Sequence, residues 1–144
     1  MSTDISVDFA EGLVSTCRTG VGDTLRSVIY FTPDAFDLLY LRSDLYPNEE
    51  RAREVKERFV EIEREGFDAQ HSYTELSLEP DTEPEIGEYE FTIRVFSDGF
   101  ISRVLVGDHG VLMTTDEMDI DAFEEIAVSA GKMLEEGASE ARYR

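Results

Sequence analysis

Apolar positions along the 144-residue chain change period several times, and each change marks an expected element. Phe9, Leu13 and Cys17, with Ala10 and Val14 beside them, recur at helical spacing between Ile5 and Thr19, and Gly20 and Gly22 close that helix. Thr24 to Phe31 is rich in β-branched and aromatic residues on both faces. Leu25, Ile29 and Phe31 line one and Val28 and Tyr30 the other, which predicts a strand covered on both sides. Thr32 to Ala35 then turns the chain into Phe36 to Arg42, a partner strand by pattern. The alternative for that stretch is a short helix capped by Thr32, with Pro33 at its first position.

Asn48 to Glu65 reads as a helix, capped by Asn48 and carrying Glu49 and Glu50 where negative charge suits the helix dipole. Its apolar face is narrow, made of Val55, Phe59 and Ile62 with Ala52 and Val60 flanking, so most of its girth is expected in water. Gly66 ends it, and residues 67–87 follow as a long acidic loop containing Pro80 and Pro84. From Glu88 to Val106 the pattern alternates, and Asp98-Gly99 supplies a two-residue hairpin turn of the I′ kind. That turn sets Val95 opposite Ser102, Ile93 opposite Val104 and Phe91 opposite Val106 on one face. On the other it sets Phe96 opposite Ile101, Arg94 opposite Arg103 and Thr92 opposite Leu105. Gly107 to Gly110 turns into a third strand, Val111 to Thr115. A final helix from Asp119 carries a broad stripe through Phe123, Ile126, Ala130 and Leu134, and residues 138–144 read as a polar, frayed tail.

The resulting order, αββαβββα, predicts a single α+β domain over residues 1–137. We expect one antiparallel or mixed five-stranded sheet with three helices on its faces and the first strand central. This order resembles the roadblock/dynein-light-chain-like fold, a relative of the profilin, PAS and GAF modules. The stretches LRSVIYFTPDAFDLLYLRSDL and GVLMTTDEMDIDAFEEI also resemble small acidic haloarchaeal proteins of a family with no assigned function. The resemblance implies a module that self-associates and serves as a platform for a small GTPase or another cytoplasmic signalling protein. Its PAS and GAF side implies a small-molecule sensor instead. Fold alone carries neither activity.

Charge narrows the partners. Thirteen Lys and Arg stand against 33 Asp and Glu, a formal net charge of −20, and only Lys56 and Lys132 are lysines. An acidic, lysine-poor surface suits concentrated salt, where a Debye length of about 3 Å at 1 M screens self-repulsion. It also argues against general nucleic-acid binding, which rests on clustered Lys and Arg. No stretch approaches the roughly 20 apolar residues of a membrane span, and no basic segment precedes an apolar one at the N-terminus, so the expected location is cytoplasmic.

Candidate chemistry is sparse. Arg94 facing Arg103 places like charges opposite each other, at a cost of a few tenths to about 1 kcal/mol. The pair could receive an acidic partner or an anion, or be neutralised by Glu54, Glu57 or Glu61 of the second helix. Val55 and Phe59 on that helix, and Tyr40 and Arg42 near the end of the second strand, complete the partner-binding candidates. The acidic run from Asp116 to Glu125 lacks the central glycine of a calcium loop and reads as a helix start capped by Asp119. His71 and His109 read as surface loop residues, and Cys17 as a small core hydrophobe. Gly20-Val21-Gly22 follows a helix and precedes a strand, the reverse of a phosphate-binding order. With no nucleophile elbow or zinc motif, the expectation is a non-enzymatic interaction module without cofactor or metal.

Overall fold

The computed structural model describes residues 3–79 and 86–142, with backbone alone from residue 137 onward. Ser6 opens helix α1 (Val7–Val21) by accepting the Phe9 N–H at 3.1 Å, and Gly22, at φ 63°, closes it. A 3-10 turn (Gly22–Thr24) leads into β1 (Leu25–Phe31). Thr32 then accepts the Ala35 N–H at 3.1 Å, which folds the chain back as β2 (Phe36–Leu41) instead of starting a helix. Next come α2 (Glu49–Glu63), capped by the Asn48 side chain on the Arg51 N–H at 2.8 Å, and α3 (Glu65–Ser77). Strands β3 (Thr92–Val95), β4 (Phe100–Val106) and β5 (His109–Thr115) precede α4 (Ile120–Arg142).

The fold is α+β. Its five strands form one antiparallel sheet in the order β2-β1-β5-β4-β3. β5 takes the middle place and β1 lies beside it with both edges paired, and helices on the two faces of the sheet account for the apolar residues on both faces of β1. The chain between β2 and β3, the two outer strands, contains α2 and α3, so these helices lie over one face while α1 and α4 cover the other. On the α1/α4 side Leu13, Val28, Tyr30, Met113, Phe123 and Leu134 form the core; on the α2/α3 side Ile29, Phe31, Val60, Leu105 and Leu112 do. A bulge between Leu25 and Ser27 moves Leu25 into the α1/α4 core, where strict alternation would have left it with Ile29 and Phe31. Cys17 is buried there, and desolvation pushes its thiol up to about 12, well away from nucleophilic chemistry.

Four expectations need correction. The connection 67–87 is not a loop throughout: the helix restarts after a break at Arg64 and runs as α3 to Ser77, while residues 80–85 lie outside the described residues. Its periodicity is weak because Phe67, whose ring is tilted against Phe31 with centroids 5.4 Å apart, is the main apolar side chain it contributes to the core. In the expected frayed tail, residues 138–142 continue α4 as far as Arg142, and residues 143–144 lie outside the described residues. β3 is shorter than expected, beginning only at Thr92.

The fourth correction concerns the hairpin register. Val95 faces Phe100 and Thr92 faces Arg103, with the Phe96 N–H bonded to the Gly99 carbonyl at 2.9 Å, so the turn centres on Ser97-Asp98. Gly99 is required for a different reason than turn geometry. A Cβ on it would sit 2.7 Å from the Thr115 backbone oxygen of β5, so the residue allows a neighbouring strand to pass. Arg94 and Arg103 are therefore diagonal neighbours on one face, not opposite each other.

Candidate functional site

The sheet face beneath α2 holds two cationic features. At the first, Glu63 at the end of α2 is 2% exposed, and its carboxylate accepts from Arg103 Nη1 and Arg94 Nε, each at 2.7 Å. Arg103 is itself 4% exposed and also donates from Nη2 to the Tyr89 hydroxyl at 3.1 Å and to Thr92 Oγ1 at 3.0 Å. The break at Arg64 puts Gly66 directly over the guanidinium, where a Cβ would overlap its central carbon. Tyr89 is held from outside by a parallel stack on Tyr73 of α3, centroids 5.8 Å apart. The carboxylate that neutralises the arginines is thus Glu63, not Glu54, Glu57 or Glu61. Arg103 is locked inside the fold, while Arg94 keeps 44% of its side chain exposed.

The second feature is Lys56, about two turns before Glu63. It is 2% exposed, and its ammonium lies over the rings of Phe59 (4.9 Å) and Tyr46 (5.6 Å). It lines a cleft of about 250 Å³ with Arg26, Phe96, Ile101, Thr114 and the turn at Ser97-Asp98. Burial first, and then the charge of nearby Arg26, lower its amine to about 8.

These placements revise the reading of α2. Its buried stripe is Ala52, Lys56, Val60 and Glu63, while Val55 and Phe59 are half-buried and Ile62 is 56% exposed. Two of the four inward residues are charged, so a search for apolar periodicity turns the helix the wrong way. The signal that could have found them is spacing: Ala52, Lys56 and Val60 are four apart, on one face.

Tyr40 and Arg42 belong to the opposite edge of the sheet. Arg18 of α1 lies 5.4 Å over the Tyr40 ring. Arg42 binds Asp116 at 2.6 Å and Asp44 at 2.8 Å, and Arg26 binds the other Asp116 oxygen at 2.7 Å. Hydrogen bonds from Arg42 and then Arg26 hold the Asp116 carboxyl below its ordinary value, and Arg42 does the same to Asp44. Asp119 caps α4 as expected, accepting the Asp121 N–H at 2.9 Å. His109 is not a loop residue; it starts β5 and bonds through Nδ1 to the Tyr30 hydroxyl at 2.5 Å.

Among the described residues no helix is long and apolar enough to cross a membrane, and no cluster of His, Cys, Asp and Glu could hold a metal ion. Fold and site define an α+β module with helices on both faces of an antiparallel sheet and buried positive charge under one of them. The chain belongs to the family described as "Domain of unknown function (DUF7522)", whose match spans residues 11–135. A search of curated proteins returned no match.

Proposed function

We propose that the protein is a non-enzymatic interaction module that self-associates through the β3 edge of its sheet, in the manner of the roadblock-like modules its element order resembles. One observation carries this reading. β3 is an outer strand of four residues, and Val95 at its end and Phe96 just beyond it are 74% and 54% exposed. An outer strand with apolar side chains in water is a template for pairing with a further strand. The exposed part of Arg94 lies on the same strand and supplies the edge with positive charge in an otherwise acidic chain. A dimer joined this way leaves both pairs of helices free to meet a further cytoplasmic partner, such as a small GTPase. The acidic composition fits a salt-rich, haloarchaeal-type cytoplasm, where screening lets two such chains approach.

Light scattering after size exclusion in 2 to 3 M KCl tests the reading. The expected result is a dimer for the wild type and a monomer for Val95→Lys. A strictly monomeric wild type would rule out self-association, and a Val95→Lys dimer would move the interface elsewhere. A second reading, a PAS- or GAF-like small-molecule sensor, is favoured by the cleft at Lys56, which combines aromatic walls with a few convergent polar groups.

A further inference from the structure

Lys56 is anomalous on both sides of its chemistry. Lysines are among the residues least often fully buried, and those that are buried are paired. This one is 2% exposed, and among the described residues no carboxylate lies within 4 Å of its ammonium and no hydrogen-bond acceptor meets it. The chain has 33 carboxylates to choose from. The two aromatic faces of Tyr46 and Phe59 offset part of the charge, as ring faces do for a desolvated cation. They supply no hydrogen-bond acceptor, and they leave the ammonium bordering an open cleft.

The surrounding charges do not cancel it. Arg26, on the same cleft, adds positive potential, and its Nη1 is committed to Asp116. Asp98 lines the cleft from the β3–β4 turn but stands outside ion-pair distance of Lys56. A site with one buried cation that no carboxylate meets and with aromatic walls matches a ligand with a single negative charge on an apolar body. A phosphate dianion would ask for more free donors than Lys56 alone offers. The cleft, about 250 Å³, is below the roughly 300–1,000 Å³ of sites for drug-sized molecules, so the ligand is small.

We propose that the cleft between α2 and the β3–β4 turn binds the carboxylate of a small organic acid, with Lys56 as the charge partner and Tyr46, Phe59 and Phe96 as the apolar walls. The proposal rests on the ligand-sensing reading, to which it gives a ligand class. It also explains why a costly buried cation is retained where methionine would pack as well: the residue trades stability for binding.

Calorimetric titration of the full chain at constant ionic strength tests it, with acetate, benzoate, 3-phenylpropionate and inorganic phosphate as anionic probes and benzamide as the uncharged counterpart of benzoate. The expected result is saturable binding of benzoate or 3-phenylpropionate, at least tenfold tighter than benzamide and phosphate, and lost at least tenfold in Lys56→Met while Lys56→Arg retains part of it. Equal binding of benzoate and benzamide, unchanged in Lys56→Met, overturns the carboxylate assignment but leaves a ligand cleft. Phosphate binding more tightly than the carboxylates overturns the ligand class. No saturable binding by any probe overturns the proposal, and if native mass spectrometry also finds no small molecule retained, the sensing reading fails with it.

Discussion

Glu63 and Arg103 form an ion pair inside the protein, Oε1 to Nη1 2.7 Å, with side-chain exposures of 2% and 5%. They come from the end of α2 and the middle of β4, and each is the other's reason for being buried. A lone charge here would be untenable, whereas the pair, with Thr92, Tyr89 and Arg94 around it, satisfies most of the donors and acceptors. The cluster keeps a net positive charge, two guanidiniums to one carboxylate, beneath a helix rich in glutamate.

Removing one member should cost far more than removing the half-exposed one. Glu63→Gln is expected to destabilise by about 3–5 kcal/mol in urea unfolding, because it strands Arg103. Arg94→Gln should cost no more than about 1 kcal/mol, since that pair is partly solvated. Similar losses for both would show that the buried pair is no more important than the exposed one.

Gly66→Ala should push the Arg103 guanidinium off its position and cost about 1–3 kcal/mol. The two sites touch, so their effects will not add. In a double-mutant cycle with Arg103→Met, whose side chain lacks the planar head, the alanine should cost less than in the wild type. A glycine substitution that costs the same in both backgrounds would refute the contact.

Lys56 gives the stability a pH dependence of defined sign. Its amine is near 8 in the folded chain and at its ordinary value of 10.5 when unfolded. Below about pH 8 the charge is carried in both states, and folding bears the whole burial penalty. Between 8 and 10.5 the folded form sheds its proton first, so stability contributed by this site rises with pH. Lys56→Met should therefore stabilise by on the order of 3 kcal/mol at pH 7, less whatever the ring contacts supply, and the difference from wild type should vanish by about pH 10.5. Urea midpoints of the two proteins across pH 6–11 measure it, and parallel curves would contradict it.

Asp116 adds to stability where Lys56 subtracts from it, although both contributions rise with pH. Its carboxyl is lowered in the fold by Arg42 and Arg26, so its contribution is present above the ordinary value of 3.8 and is lost as pH falls through the folded value. Being more than a third exposed, it should contribute no more than about 1 kcal/mol in dilute buffer, and less in salt. Asp116→Asn should remove that share of the acid sensitivity and leave the neutral-to-alkaline profile unchanged. Melting curves from pH 2.5 to 7 report it.

With a net charge of −20, the whole chain should melt at higher temperature as salt is added. The expected midpoint rises between 0.1 M and 3 M KCl, and an unchanged midpoint would count against a salt-adapted surface.

Local rules placed much of this architecture without help from the tertiary structure. Asn48 and Asp119 announce helix starts because a short polar side chain there satisfies free backbone N–H groups two or three residues on. The apolar run of β1 announces a strand covered on both faces, and the succession of periods leads to the five-stranded sheet. Each of these depends on neighbours close in the chain.

What the sequence did not determine by itself was the rotation of α2 and the register of β3 on β4, and so the site beneath them. Lys56 and Glu63 look like solvent-facing residues until Arg103, 40 residues after Glu63, comes to meet the second of them. Gly99 looks like a turn residue until Thr115 of β5 passes against it. A charge can be buried only when its partner is already in place, and a glycine can be obligatory because of a strand far along the chain. Both conditions are met only in the assembled fold.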